Sequence, residues 1–365
     1  TRNLKLIDAE VWEFSKGKVS DIISKWKNDP RIKYIEPDYI VHGSNDPNDP
    51  LYPSLWGMAK IKASQAWDIT TGSNVVVGVI DAGVDYNHPD LAANIWTNPG
   101  EIANNGIDDD NNGFVDDVHG YDFVNNDGDP MDDNRHGTHV AGTIAARGNN
   151  NTGVVGVNWT AKIMALKFLG SNGSGTNSDA IRAIQYATQM GARLTNNSWG
   201  GGSYSQAMYD AIKAAGAANI MFVAAAGNTA SNNDAQPYLA YPSTYDLDNI
   251  ISVAATDIND LKASFSNYGA TTVDLGAPGV DILSTYPLWH PSGPYATISG
   301  TSMAAPHVAG VAALIWSQHP TFSAEDVKTI IMNSVDPIAS MQGITASGGR
   351  LNAFKALTLA QSWTQ

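Results

Sequence analysis

An uninterrupted apolar run at residues 75–80 sets the pattern of this chain, and similar, largely apolar runs follow at 163–168, 220–226 and 250–255. A strand with one wet face alternates apolar and polar positions, so an unbroken run predicts a strand buried on both faces. Between and after these runs lie stretches with helical spacing: 136–146, 178–190, 205–218, 302–317, 323–333 and 352–363. Ser323 and Asp326 have the spacing of a capping box at a helix start. Strands that alternate with helices predict an α/β fold, a mainly parallel sheet with helices on both faces. In such sheets the chemistry gathers at the carboxyl ends of the strands.

The first forty-odd residues read differently. Residues 4–14 predict strands. Residues 18–28 predict a helix with Val19, Ile22, Ile23 and Trp26 on one face, and 32–35 alternates like a further strand. Pro37 disfavours helix, so 37–42 is expected to be extended. Residues 43–53, rich in Asn, Asp and Pro, read as a linker. A segment this short makes a poor core, so this small α+β unit is expected to lean on the rest of the chain.

Composition narrows the function. Apolar residues make up 43% and charged residues 16% of 365, enough for a sizeable core. Cysteine is absent, which excludes disulfides, cysteine-bound zinc and a cysteine nucleophile. Lys plus Arg is 21 and Asp plus Glu 36, a net −15, which argues against nucleic acid or an anionic membrane as partner. No apolar run approaches the ~18–20 residues of a membrane span. Thr1 follows no basic-then-apolar leader, so any export signal is expected to have been removed already. The charge is uneven: 11 acids and no Lys or Arg fall in 97–134. Such a stretch repels itself unless it is solvated or binds cations.

Three polar residues sit at element ends. Asp81 closes the first buried run, His136 opens a helix in His136-Gly137-Thr138-His139, and Ser302 follows Gly300-Thr301 before an Ala-rich helix. Singly, each has a structural explanation: a satisfied acid, a helix start, an N-cap. Together they are the parts of a nucleophilic triad. A serine hydroxyl is a poor nucleophile at neutral pH; an imidazole must take its proton, and a carboxylate must hold the imidazole tautomer. The developing oxyanion needs donors, which the Asn228 side chain and the Ser302 backbone N–H at a helix start can supply. A rival reading takes His136 and His139 with Asp81 as a zinc site; a second takes the chain as a non-catalytic binding protein.

The blocks around these residues decide the resemblance. Val79-Ile80-Asp81-Ala82-Gly83-Val84 with Asn87-His88-Pro89-Asp90-Leu91, then His136-Gly137-Thr138-His139-Val140-Ala141-Gly142, then Gly300-Thr301-Ser302-Met303-Ala304-Ala305-Pro306-His307 resemble the signature blocks of the subtilisin-like serine proteases, closest to their thermitase-like, calcium-rich branch. The resemblance covers about 44–365, which it implies is the catalytic domain. It implies Asp81 as the orienting acid, His136 as base, Ser302 as nucleophile and Asn228 as oxyanion donor. It also implies a substrate edge through Gly173 and Gly175, an opposite edge at Ser198, Trp199 and Gly200, and a pocket walled by Ala225 and Gly227 with Ala240 at its base. With no acid there, large uncharged P1 side chains are expected. Residues 1–43 resemble the C-terminal part of the family's inhibitory pro-region, with Tyr34 to His42 as its strand and tail and a cut between His42 and Asp46. The resemblance thus implies a secreted, extracellular, self-maturing monomer acting on proteins and peptides.

For metals, Asp108-x-Asp110-x-Asn112-Gly113-Phe114 has the spacing of an EF-hand opening, completed by Asp116 or Asp117, although His119 replaces the usual Glu. Resemblance to thermitase-like enzymes implies two more Ca2+ sites. One uses Asp49, Asp90, Asn150 and the carbonyls of Arg147, Thr152 and Val154; the other uses Asp122, Asp127 and Asp129 with Asn125. Two to three calcium ions are therefore expected.

Overall fold

The computed structural model describes residues 2–14, 18–38, 46–237 and 239–364. The chain divides into two compact units, Thr1–Ser44 and Asn45–Gln365. In the first, β1 (Arg2–Leu4) and β2 (Ala9–Val11) form an antiparallel hairpin, followed by α1 (Val19–Trp26). The Trp12 ring meets Phe14 and Trp26 edge-on, yet no residue of α1 is buried. The strand expected at 32–35 does not form. Arg31 forks onto the Asp29 carboxylate and Ile32 N–H closes a turn on Asp29 O, and among the described residues β1 and β2 pair only with each other. The tail at 39–42 and the cut region through 45 lie outside the described residues.

The second unit begins as packed structure rather than linker. From residue 46 the backbone docks at once: Asn48 N–H bonds Asn149 Oδ1, Asp49 is buried, and Leu51 N–H bonds Gly153 O. Two short helices, α2 (Trp56–Lys60) and α3 (Ala63–Trp67), lead to β3 (Val76–Asp81), β4 (Gly120–Asp122), α4 (His136–Ala145), β5 (Lys162–Lys167), α5 (Asn177–Gln189), β6 (Leu194–Asn197), α6 (Gln206–Ala217), β7 (Met221–Ala225) and β8 (Ile250–Thr256). Then come β9 (Leu275–Pro278), a hairpin of β10 (Ile282–Thr285) and β11 (Tyr295–Ile298), α7 (Thr301–Gln318), α8 (Ala324–Asn333), β12 (Asp336–Pro337), β13 (Gly349–Arg350) and α9 (Ala353–Gln361). The nine-stranded sheet runs β12-β13-β9-β8-β7-β6-β3-β5-β4 and is parallel except between β12 and β13.

The largely apolar runs have the expected cause. Side chains alternate across a strand. Val77, Val79, Ile163, Ala165, Met221 and Val223 face one core with α4 and α7, while Ile80, Met164, Leu166, Phe222 and Ala224 face the other with α5 and α6. The capping box at Ser323 and Asp326 is formed. The order around β3 matters most: β5 pairs on one side of it and β6 on the other. The chain reverses direction across the sheet there, which opens a crevice beyond the carboxyl end of β3, where Asp81 stands.

Candidate active site

Asp81, His136 and Ser302 each stand at or next to the end of an element. Asp81, the last residue of β3, is fully buried and accepts from Ala82 N–H at 2.7 Å. His136, the first residue of α4, places Nδ1 2.8 and 3.0 Å from the two Asp81 carboxylate oxygens. The carboxylate can only accept, so Nδ1 carries the proton and Nε2 keeps its lone pair. Burial alone would push this imidazole down. The charge and hydrogen bond of Asp81, with Asp132 beyond it, outweigh burial, and the ring titrates above its ordinary value.

The helix start that carries His136 is held by Asp132. Its buried carboxylate accepts from Asn134 N–H, Arg135 N–H, Thr138 N–H and the Thr138 hydroxyl. Burial nevertheless pushes its pKa up. Arg135, just before His136, sits at φ 105°, left-handed backbone that a side chain adopts only under constraint.

Ser302 lies in the first turn of α7. Its hydroxyl donates to Ser198 O at 3.0 Å, while the Ser198 hydroxyl donates back to Ser302 O at 2.8 Å. In this arrangement it makes no hydrogen bond to His136, whose Nε2 has no partner among the described residues. Asn228 is fixed through its oxygen: Oδ1 accepts from Thr301 N–H and the Thr301 hydroxyl, both at 2.9 Å, so Nδ2 is left to donate. Both donor atoms converge on one empty place. A Cβ added to Gly300 would stand 3.6 Å from Ser302 N and 3.7 Å from Asn228 Nδ2.

Two contributors escaped the sequence reading. Lys167, at the end of β5, has a side chain only 2% exposed. Its Nζ donates to Ala82 O (3.0 Å), Leu169 O (2.8 Å) and Asp133 Oδ1 (2.6 Å). It thus ties the residue after Asp81, the loop before His136 and the start of the 169–175 edge. A lysine inside an otherwise apolar run was the available signal. Gly300 carried none, because its role depends on where Asn228 arrives from another strand.

The predicted substrate edges take their places around these groups. Residues 170–174 close a turn through Gly170 N–H to Ser174 O, and Gly173 adopts φ 74°. A Cβ on Gly175 would fall 2.2 Å from Phe168 O, so no side chain fits there. Trp199 packs on Phe168 at 4.8 Å, and Gly200 passes close to Tyr241 O. Ala225 ends β7; Gly227 N–H bonds the Thr301 hydroxyl, and the methyl of Ala240 lies 3.7 Å from where a Gly227 Cβ would be.

His139 is unsuited to the zinc reading. It is fully buried, its Nε2 lies 3.0 and 3.1 Å from Ile282 O and Ala296 O, and burial pushes its pKa to about 3. It is a neutral strut between α4 and the β10–β11 hairpin.

Of the metal expectations, one set regroups. Glu101, which the sequence reading missed, converges with Asp110 and Asp117: ligand atoms of the three lie within 4.8 Å of one another. Glu101 Oε2 is buried without a partner. Asp108 is turned away and caps the loop through Asn112 N–H and Gly113 N–H. Asn112 Oδ1 accepts from Phe114 N–H and its Nδ2 donates to Asp110 and Asp117, so it faces them as a donor and not as an oxygen ligand. The Phe114 ring packs on Tyr121, Phe123 and Tyr186. The second set is tied together by hydrogen bonds and does not form a ligand cluster: buried Asp49 accepts from Asn149 N–H, buried Asp90 accepts from the Asn150 side-chain amide, Val154 N–H and the Tyr295 hydroxyl, and Asn150 Oδ1 accepts from Thr152 N–H, along the loop that carries Arg147. The third does not gather. Asp122 caps Val124 and Asn125, Asp127 caps Asp129, and Asp129 accepts from Tyr86, so these carboxylates are spent locally.

Comparison with known proteins agrees with this geometry. The sequence profile of the subtilase family matches residues 72–354. The chain belongs to the subtilase family. It is 40% identical over 344 residues to the thermophilic serine proteinase of Bacillus sp. (strain AK1), covering 94% of this chain and 77% of that protein. It is 42% identical over 312 residues to thermitase of Thermoactinomyces vulgaris, covering 85% of this chain and 99% of that one. A solved protease structure from Pseudoalteromonas arctica PAMC 21717 superposes with a TM-score of 0.73 at 31% identity, over 86% of this chain and 99% of that chain. This thermitase-like subtilase is therefore a serine peptidase.

Proposed function

We propose that this subtilase is a secreted, calcium-stabilised endopeptidase that cleaves proteins through Asp81, His136 and Ser302. The observation that carries the assignment is the fit of a buried carboxylate to His136 Nδ1, which leaves Nε2 free to act as a base. The Ser302 hydroxyl leaves Ser198 O and turns to Nε2, which takes its proton as Oγ attacks the substrate carbonyl. Asn228 Nδ2 and Ser302 N–H receive the oxyanion in the space beside Gly300. Protonated Nε2 then gives its proton to the leaving amine, and water repeats the sequence on the acyl-enzyme. The substrate backbone adds as a strand between the edges at Gly173–Gly175 and Ser198–Gly200. An uncharged pocket with Ala240 at its base favours large uncharged P1 residues.

Calcium is a hard cation that takes several carboxylate and carbonyl oxygens. One set fits it: Glu101, Asp110 and Asp117, which have no Lys or Arg ion pair among the described residues. Bound there, calcium offsets the mutual repulsion of the carboxylates and stabilises the folded state. Residues 1–43 act as an inhibitory segment that the enzyme itself releases.

The test is casein hydrolysis in calcium together with intact mass. Native protein is expected to cleave casein, to be blocked by a serine-reactive inhibitor and to lose mass near residue 43; Ser302→Ala should do none of this. Equal activity of native and Ser302→Ala protein would overturn the catalytic reading. Release of the segment only after a second protease is added would overturn self-maturation.

A further inference from the structure

We propose that Leu288 and Trp289 form an apolar subsite for a substrate side chain on the leaving-group side of the scissile bond. This rests on the peptidase reading above. In the second unit, Trp289 is the one tryptophan among the described residues that is more than a third exposed, at 52%, and its neighbour Leu288 is 50% exposed. Exposed apolar residues on a loose loop would need no explanation. This pair is not loose. The indole Nε1–H donates to Asp132 O at 2.8 Å, and Leu288 N–H donates to Asp85 Oδ2 at 2.8 Å. The loop is also tied across its base by Tyr286 N–H to Pro294 O, and within by His290 N–H to Pro287 O and Gly293 N–H to His290 O. Tyr286 and Trp289 both lean on the His290 ring, at 4.7 and 5.5 Å.

An indole whose polar atom is satisfied from within, and whose ring still meets water, gains little from folding but is ready to cover an apolar partner. Its ring is held still, so little side-chain entropy is lost when a ligand arrives. Its position names the ligand. Asp132, which holds the indole, is the residue whose carboxylate caps the start of α4 at His136. The loop joins β10 to β11, and β11 leads directly to Gly300 and Ser302. The pair is therefore continuous with the cleft. The 169–175 edge reaches the same α4 entrance through a different residue, as Asn134 Nδ2–H donates to Ser171 O. On this proposal that edge serves the acyl side of the substrate. The Leu288–Trp289 loop, joined to the nucleophile through β11, serves the side that departs with the amine.

The test compares two substrates that share one acyl-side sequence. One is a peptide p-nitroanilide, which has no residue beyond the scissile bond; the other is an internally quenched peptide with Phe or Leu following it. The readout is the ratio of kcat/KM for the quenched peptide to that for the anilide. Trp289→Ala is expected to lower this ratio about tenfold, the scale on which one apolar contact discriminates substrates. Trp289→Glu is expected to turn the preference toward Lys and Arg after the cut. An unchanged ratio, or no shift toward basic residues, would overturn the subsite. Failure of the native enzyme to cleave either substrate would instead sink the peptidase reading.

Discussion

Replacing Lys167 by Met tests whether the catalytic elements are held together from behind. Methionine keeps the length and most of the volume of the lysine stem, so packing in the buried site is nearly preserved. What is lost is three hydrogen bonds. Asp133 has a side chain 48% exposed, and water replaces the ammonium there at a cost of about 0–1 kcal/mol. Ala82 O and Leu169 O are different. They face the buried Nζ, and losing a donor costs a buried acceptor about 1–3 kcal/mol. The pair gives an expected loss of about 2–6 kcal/mol of stability. Because the freed segments flank Asp81, His136 and the substrate edge, kcat should fall by about 10–100-fold as well, the scale on which a small misplacement acts. Stability is to be measured by urea denaturation in calcium on a Ser302→Ala background, which prevents self-digestion. Activity is to be measured on the active version with an anilide substrate. A loss below about 1 kcal/mol with kcat unchanged would refute the idea that one ammonium organises three segments.

The remaining predictions address the charge relay, the oxyanion site and calcium. The acid limb of the pH–rate profile should lie above the ordinary histidine value, because Asp81 raises the His136 pKa and only the neutral ring is a base. Asp81→Asn removes that support while burial remains, so the limb should move to lower pH and kcat should fall by about 10^4, as such a change does in trypsin-like enzymes. A limb that stays in place would show that Asp81 does not set it. Gly300→Ala should cut kcat by about 10^2–10^3, the range found on removing an oxyanion donor from subtilisin, a relative, with thermal unfolding nearly unchanged. A loss confined to KM would refute this. Calcium should raise the unfolding free energy by about 2.7 kcal/mol per site at a hundred times its dissociation constant. Differential scanning calorimetry of Ser302→Ala protein in calcium and in EGTA measures this, and Glu101→Gln should narrow the gap. Identical melting in both would rule out a stabilising ion.

The sequence by itself determined the layered fold and singled out the residues proposed as the reactive groups. Both are written in local pattern: largely apolar runs at 75–80 and 163–168 require a sheet covered on both faces, and Asp81, His136 and Ser302 each stand beside small residues at an element end. Short β6, with Leu194-Thr195-Asn196-Asn197, was not legible, because three of its four residues are polar and it is the pairing with β3 and β7 that makes it a strand. The strand expected at 32–35 failed for the complementary reason: alternation needs a partner strand, and none pairs with it among the described residues. Tertiary structure alone decided what depends on convergence. Glu101 joins Asp110 and Asp117 from outside the loop whose spacing pointed to a cation, and Asp108 is drawn off to cap that loop. Lys167 finds three acceptors on three segments, and Gly300 leaves empty the place where Asn228 and Ser302 meet. Residue type and spacing fix what a group can do; which groups stand within 3 or 4 Å of it is set by how distant strands and helices pack.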